Sequence, residues 1–419
     1  MAIYFDEEKK IFYLESGCVS YVMQISQFGF LTQLYYGKRI PREDVSYVEK
    51  LYDRGSEAVV FGAPSRRYSP NVITSEYPSY GKGDFRECAF IPRGADGARV
   101  FEGKVKGFEI LQEKPTIPGM PSLYGGGETL VVTLEDEISK VQVDLYYSVY
   151  DELDAIARRA VIKNNADTPL VLDRAYSFSL DLPAGSYKVI TQYGAHMRER
   201  TPEVTPLMHG IMSVDSKRGA TSLHSSCFMA LAAKDADEES GDVYGFNLIY
   251  SGSFRLTAEQ SPYDMVRVLG GINDFDFSWK LLPGESFYTP EAAMVYSSKG
   301  LGTMSRTFHD LYRGYIINKR FVNAVRPIVI NNWEATYFNF DIPKLCSIID
   351  TVKDSGIDMF VLDDGWFGRR DSDRSSLGDW TVNKDKLKGD LSALIDYVHN
   401  AGMKFGLWFE PEMVSEDSD

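Results

Sequence analysis

The chain has 419 residues, of which 44% are hydrophobic, 25% charged and 13% aromatic, a composition typical of a soluble globular protein with more than one domain. Its formal net charge of −15 argues against a nucleic-acid partner and against an anionic membrane surface, because both bind basic patches. No apolar run approaches the roughly 18 residues that a membrane-spanning helix needs, so no membrane partner is predicted.

The cysteines and histidines show none of the spacings of a metal or redox site. Cys18, Cys88, Cys227 and Cys346 are far apart and form no C-x-x-C motif, and the five histidines are scattered. We therefore predict no metal ion and no cofactor. Scattered thiols, together with an N-terminus that lacks a basic and apolar leader, indicate a cytoplasmic protein.

Residues 1–300 are predicted to form an antiparallel β domain. Short alternating runs recur, for example at residues 20–25, 129–134 and 141–150, and Gly, Pro, Asn and Asp separate them. Strands at this spacing, with few helical stretches between them, indicate a large β-sandwich.

Residues 301–324 are predicted to form a linking helix. Met304, Phe308, Leu311 and Tyr315 recur at helical spacing and define one apolar face. The pattern of short alternating strands stops before this segment, so we expect the helix to join two domains.

Residues 325–419 are predicted to begin an α/β domain. Buried strands at 327–330, 357–362 and 403–409 alternate with helical patterns, which requires a parallel sheet with right-handed crossovers. A complete eightfold barrel needs roughly 250 residues. We therefore expect only the start of such a barrel here, and a multidomain fold of class β plus α/β.

Each of the three predicted parallel strands is followed by acidic or indole side chains. Trp333 follows the first strand, Asp363 and Asp364 follow the second, and the third ends with Trp408 and Phe409 and is followed by Glu410. The carboxyl ends of barrel strands are where barrel enzymes place their chemistry. Carboxylates accept hydrogen bonds from hydroxyl groups and indoles cover the apolar face of a pyranose ring. The sequence therefore predicts a sugar site.

Other interpretations of these residues stay open at this stage. The two aspartates also suit a capping or salt-bridged role at a strand end, or a Mg²⁺ site of the kind found in phosphotransfer barrels. The two tryptophans also suit core packing. Glu410 and Glu412 flank a proline, and we expect at least one of them to form a structural ion pair.

Several blocks of sequence resemble glycoside hydrolase family 36, the bacterial-type α-galactosidases. Four are PIVINNWEATYF at 327–338, DDGWFG at 363–368, LGDW at 377–380 and GLWFEPEMV at 406–414. The N-terminal blocks QLYYGK at 33–38, EYPSYGKGDFR at 76–86 and SKRGATS at 216–222 agree with them. The resemblance spans essentially the whole chain.

This resemblance implies an N-terminal β-supersandwich followed by the first three βα elements of a (β/α)₈ TIM barrel. It implies metal-free, retaining hydrolysis of terminal α-galactosides such as melibiose and raffinose. It also implies that Asp363 and Asp364 bind the galactose hydroxyls and that Trp333 and Trp408 are the active-site tryptophans.

The resemblance further implies a homotetramer in the full-length protein, in which the sandwich of a neighbouring subunit reaches into the site. That role falls on Asp53 and on His196, at a position where family members of this type commonly have Trp. His196 is therefore a departure from the family pattern.

A second departure concerns catalysis. The family nucleophile lies in a Lys-Trp-Asp block on the fourth strand and the acid/base lies on a later strand, and neither block occurs here. We therefore expect no catalytic residue in this chain, both carboxylates beyond Asp419, and no activity of residues 1–419 alone. The competing functions are a non-catalytic carbohydrate-binding protein with a lectin-like sandwich, and a related α-N-acetylgalactosaminidase or galactosyl transferase.

Overall fold

The computed structural model describes residues 2–49 and 58–418. By their internal contacts these residues form two compact units, Met1–Asn318 and Lys319–Asp419, which we call unit 1 and unit 2. None of the described helices is both long and apolar enough to cross a bilayer.

Unit 1 consists mainly of antiparallel strands. In chain order these are β1 (Ile3–Asp6), β2 (Ile11–Glu15), β3 (Val19–Ile25), β4 (Leu31–Lys38), β5 (Phe90–Arg93), β6 (Lys104–Leu111), β7 (Thr129–Glu135), β8 (Val141–Tyr150), β9 (Ala155–Asn164), β10 (Leu170–Leu182), β11 (Tyr187–Ala195), β12 (Arg198–Pro206), β13 (Gly210–Asp215), β14 (Ser225–Ala233), β15 (Val243–Ile249), β16 (Phe254–Gln260), β17 (Val266–Ile272), β18 (Trp279–Leu281), β19 (Ser286–Tyr288) and β20 (Glu291–Ser297). Short 3₁₀ helices occur at Ser46–Val48 and Asp151–Leu153, and helix α1 spans Gly300–Tyr315.

The strands of unit 1 form three sheets. One has the order β1-β2-β3-β4, one has β13-β16-β17-β10-β18 with β5 also paired to β10, and the largest has β12-β11-β14-β15-β20-β9-β8-β7-β6 with β19 also paired to β9. The second and third sheets share one core, in which the rings of Phe178 on β10 and Phe246 on β15 stack at 5.5 Å between centroids. The predicted antiparallel β structure is confirmed.

A buried ion pair with its hydrogen-bond partners lies within this apolar core. The guanidinium of Arg158 lies 2.8 Å from the carboxylate of Glu76, and both side chains are buried. The hydroxyls of Tyr21 and Tyr147 each donate to Glu76 at 2.7 Å. A charge in an apolar interior is stable only when it is paired and hydrogen-bonded. The residues of this network therefore depend on one another.

Helix α1 packs on the largest sheet of unit 1. Its buried residues Met304, Phe308 and Leu311 join an apolar cluster with residues of β14, β15 and β20. A Cβ added at Gly245 would lie 2.5 Å from Phe308 Cε2, so the close approach requires glycine there. The predicted apolar face is correct, but we expected a linker at 301–324. The helix instead ends at Tyr315 and belongs to unit 1, because its apolar face is buried there.

Unit 2 contains a three-stranded parallel sheet with helices between its strands. Its elements are α2 (Lys319–Val322), β21 (Val329–Asn331), α3 (Trp333–Thr336), α4 (Ile342–Val352), β22 (Met359–Leu362), α5 (Lys384–Leu387), α6 (Leu391–Asn400) and β23 (Lys404–Leu407). The order β21-β22-β23 brings Ile330 beside Phe360 and Phe360 beside Phe405. The predicted βαβαβ order is confirmed.

The three parallel strands are shorter than predicted. The first begins at Val329 rather than at Pro327, which has no N–H to donate to a neighbouring strand. The N–H of Ile328 donates instead to the carboxylate of Asp358, at 3.0 Å. The third strand ends at Leu407. Trp408 is therefore the first residue after the strand, in position to line a site.

Candidate functional site

A cavity of about 530 Å³ lies in unit 2 where the three parallel strands end. It is lined by Trp333, Phe338, Asp363, Asp364, Arg370, Asp373, Trp408 and Glu410. Four of the residues predicted from sequence, the two aspartates and two of the tryptophans, therefore surround one space. That these residues bind a sugar stays a prediction.

Asp363 is fixed at the end of β22 by the end of β21. Its backbone N–H donates to the side-chain oxygen of Asn332 at 2.8 Å, and its Oδ2 accepts from the side-chain amide of Asn331. Its Oδ1 accepts from the backbone N–H of Asp364 at 2.7 Å. The side chain is half-buried. Each oxygen thus accepts one hydrogen bond and keeps a lone pair for a ligand hydroxyl.

Asp364 is buried and paired with a cation. Arg370 Nε lies 2.9 Å from Asp364 Oδ1 and 3.1 Å from Oδ2, and Arg370 Nη2 lies 2.8 Å from Oδ2. Asp364 is 6% exposed and Arg370 3% exposed. The salt-bridged interpretation of the pair is thus confirmed for Asp364, although the same residue also lines the cavity.

The two cavity tryptophans are half-buried and held by neighbouring rings. Trp333 begins α3 directly after β21 and meets Tyr337 and Phe338 edge to face, at 5.2 and 5.0 Å between centroids. Trp408 lies beside Phe367, with ring planes 17° apart and centroids 6.4 Å apart. An indole that is both ordered and accessible suits stacking against a flat apolar ligand face.

Sequence reasoning missed three of the cavity residues, Phe338, Arg370 and Asp373, and Arg370 is the one that contacts a predicted acid. It lies in a loop after Gly368, where no periodicity predicts which way a side chain turns. Its neighbour Arg369 is exposed. The only signal in the sequence is an arginine close after two adjacent acids, which need a nearby cation if both are ionised.

The two acids that follow β23 lie in different surroundings. Glu410 lines the cavity and Glu412 is exposed. Among the residues that the structure describes, neither has an ion-pair partner within 4.0 Å, so the structural ion pair stays a prediction. Across residues 2–49 and 58–418, no group of three or more His, Cys, Asp or Glu side chains is placed to hold a metal ion.

The remaining two predicted site residues are His196 and Asp53. His196 is exposed in the turn that joins β11 to β12, and no described side chain pairs with it. Asp53 lies outside the described residues. Their predicted role toward a neighbouring subunit stays a prediction.

Acidic and accessible indole side chains at the carboxyl ends of parallel strands are suited to binding a sugar in a barrel enzyme, and family comparison identifies the class. Residues 29–282 match the model of the glycosyl hydrolase family 36 N-terminal domain, and residues 286–419 match the melibiase model. The chain therefore belongs to glycosyl hydrolase family 36, as the sequence blocks predicted.

Curated relatives match the chain over its whole length. The α-galactosidase AgaA of Geobacillus stearothermophilus is 42% identical over an alignment of 434 positions, which covers 100% of this chain and 58% of the relative. The α-galactosidase Mel36A of Lactobacillus acidophilus is 40% identical over 100% of this chain and 58% of its own length. The chain thus spans less than two thirds of the length of these relatives.

Solved structures give the same result. The chain is similar to AgaB of Geobacillus stearothermophilus, with a TM-score of 0.95 and 43% identity over 100% of this chain and 58% of that one. It is also similar to the galactosidase domain of AgaSK, with a TM-score of 0.97 and 39% identity over 100% and 59%. Variants of AgaA have been solved in complex with raffinose, with stachyose and with 1-deoxygalactonojirimycin.

Proposed function

We propose that the cavity of unit 2 binds the terminal galactose of an α-galactoside, as the sugar-binding part of a retaining α-galactosidase. The substrates are terminal, non-reducing α-D-galactosides such as melibiose and the raffinose-type oligosaccharides. The observation that carries the proposal is the meeting of Asp363, Asp364, Trp333 and Trp408 around one cavity.

The chemistry of the lining residues suits a galactose ring. The free lone pairs of Asp363 and Asp364 accept hydrogen bonds from hydroxyl groups, and charged acceptors make the stronger hydrogen bonds. Trp333 and Trp408 offer ring faces to the C–H groups of the sugar. The cavity of about 530 Å³ falls within the roughly 300–1,000 Å³ of small-molecule sites.

In this proposal residues 1–419 bind the sugar but do not cleave it. Retaining hydrolysis needs two carboxyl groups about 5–5.5 Å apart, on opposite sides of the scissile bond. Asp363 and Asp364 are consecutive residues at the end of one strand, and Asp364 forms an ion pair with Arg370. They therefore approach a ligand from one side. The nucleophile and the acid/base belong, in this proposal, outside residues 1–419.

We propose the following fold, cellular location and assembly for the protein. The parallel strands β21, β22 and β23 are the first three of a (β/α)₈ barrel, which their order and the position of the cavity support. Unit 1 is the β-supersandwich of the family. The proposed mechanism needs no metal or cofactor. The four free cysteines support a cytoplasmic location. We also propose that the full-length protein is a homotetramer.

Calorimetric titration of the purified chain with galactose and glucose tests the proposal, because the two sugars differ only at C4. We expect galactose to bind more tightly than glucose, and Asp363→Asn to weaken galactose binding by about tenfold or more. Tighter binding of N-acetylgalactosamine would favour the α-N-acetylgalactosaminidase alternative. Equal binding of galactose and glucose would refute the proposal.

An activity assay with p-nitrophenyl α-galactoside tests the second part. We expect no turnover by residues 1–419, prepared from a host that lacks its own α-galactosidase. Turnover that Asp363→Asn abolishes would show that this chain contains its own catalytic carboxylates.

A further inference from the structure

We infer that Arg370 is a positioning residue, which fixes the carboxylate of Asp364 in the orientation that accepts one particular galactose hydroxyl. This inference rests on the proposed function. Arg370 contacts the carboxylate of Asp364 and thereby determines which ligand hydroxyl the site recognises.

Several hydrogen bonds join the side chains of Arg370 and Asp364. Arg370 Nε donates to both oxygens of Asp364, and Nη2 donates to Oδ2. An ionised carboxylate has about four acceptor sites, two on each oxygen. Oδ2 therefore accepts two hydrogen bonds from Arg370 and Oδ1 accepts one. Oδ1 keeps an acceptor site, so the arginine leaves a single direction for a ligand hydroxyl.

Arg370 is itself held on several sides. Its Nη1 donates to the backbone carbonyl of Ser375 at 2.9 Å. The rings of Phe338 and Phe367 lie 5.8 and 6.0 Å from its guanidinium carbon. A planar, buried guanidinium with these neighbours has little rotational freedom. The orientation of Asp364 is therefore set before any ligand arrives.

The loop that joins Asp364 to Arg370 is held closed. Lys386 Nζ donates to the backbone carbonyl of Arg370 at 2.7 Å and lies 3.1 Å from the carboxylate of Asp371. Gly365 has φ +103, and a Cβ there would lie 3.1 Å from Lys386 Nζ and 3.1 Å from Phe338 Cδ1. The loop from Asp364 to Arg370 thus returns on itself, and Arg370 closes it.

Arg370 also acts electrostatically on the two adjacent acids. Asp363 and Asp364 are consecutive carboxylates, and like charges this close oppose each other. Arg370 places one positive charge against the buried member of the pair. Lysine would keep that charge but could not bind both oxygens in a fixed fork. The fork, rather than the charge alone, therefore carries the positioning role.

The experiment measures the affinity of the full chain for galactose and for 2-, 3-, 4- and 6-deoxygalactose by calorimetry. The readout is the affinity ratio of galactose to each deoxy sugar. We expect Asp364→Asn to lower one of the four ratios by about tenfold. The deoxy sugar in that ratio identifies the galactose hydroxyl that donates a hydrogen bond to Asp364. We expect Arg370→Lys to lower the same ratio by a similar factor and to leave the other three unchanged.

Arg369→Lys is the matched control, since Arg369 is exposed and precedes Arg370 in the same loop; it should leave all four ratios unchanged. Arg370→Met, which removes the charge as well, should lower the same ratio. If Arg370→Met does not fold, Arg370→Lys decides alone. If Arg370 had a purely structural role, its substitution would weaken the binding of all five sugars by one common factor and leave the four ratios unchanged. Unchanged ratios would therefore overturn the inference. No galactose binding by the wild-type chain would overturn the proposed function, and this inference with it.

Discussion

The indole N–H of Trp366 donates to the backbone carbonyl of Trp408 at 3.0 Å. Trp366 is 2% exposed and follows β22, whereas Trp408 follows β23 and lines the cavity. A buried tryptophan thus ties the end of one parallel strand to the cavity residue that follows the next. The orientation of Trp408 depends on this bond, because the chain has left the regular strand at that point.

Trp366→Phe should weaken galactose binding by about two- to tenfold, the effect of one lost neutral hydrogen bond. Calorimetric titration measures the change. Trp380→Phe is the matched control, because Trp380 contacts Trp408 through its ring at 6.4 Å but makes no hydrogen bond to it. Equal losses in the two variants would show that ring volume, and not the hydrogen bond, positions Trp408.

Asn331→Ala should weaken galactose binding by about two- to tenfold as well. The side-chain amide of Asn331 donates to Asp363, and its oxygen accepts from the backbone N–H of Trp333 at 2.7 Å. One side chain therefore positions an acid and an indole of the cavity. Asn339→Ala is the control, since Asn339 is exposed and its side chain has no described partner. Unchanged affinity in Asn331→Ala would contradict this role.

The arrangement of unit 2 could be predicted because its signals are local. Alternation of buried runs with helical patterns indicates parallel strands, and parallel strands bring their carboxyl ends to one edge of the sheet. The position of Asp363 and Trp408 near each other follows from that rule alone. The strand bounds were less predictable, because Pro327 and the hydrogen bond between Ile328 and Asp358 decide where the ladder begins.

The loop after β22 could not be predicted, because contacts between residues distant along the chain determine it. Whether Arg369 or Arg370 turns inward depends on the ring of Phe338, which lies 5.8 Å from the guanidinium carbon of Arg370 and belongs to a distant part of the chain. The docking of α1 on unit 1 likewise depends on Gly245, far from the helix in sequence. The composition of the chain and its hydrophobic spacing carry no information on either contact.

The buried pair of Arg158 and Glu76 gives a stability prediction for unit 1. Arg158→Met should lower the free energy of unfolding by about 3–5 kcal/mol, because it leaves Glu76 buried without its ionic partner. Arg159→Met is the matched control on the same strand. Arg159 is also buried, where burial lowers its pKa, and it lies over the ring of Tyr146 without a carboxylate partner within 4.0 Å among the described residues.

Urea denaturation of both variants, followed by intrinsic fluorescence, measures the difference. The control should lose less stability than Arg158→Met, since it leaves no carboxylate unpaired. Equal losses in the two variants would contradict a special role for the pair with Glu76.

Asp274 gives the pH-dependent prediction. Burial acts to raise the pKa of its carboxyl, but the ion pair and hydrogen bonds with Arg174 outweigh burial and hold the pKa below the ordinary 3.8. Tyr176 assists by donating to the carboxylate at 2.8 Å. A lowered pKa in the folded state means that the unfolded state binds the proton more readily, so the contribution of Asp274 to stability is present above pH 3.8 and is lost as the pH falls through the folded-state pKa.

Asp274→Asn should therefore be less stable than the wild type by about 2 kcal/mol near neutral pH, and the gap should narrow as the pH falls below 3.8. Urea denaturation at a series of pH values measures the gap, and a gap that stays constant down to the acid limb would contradict the role of the ionised carboxylate.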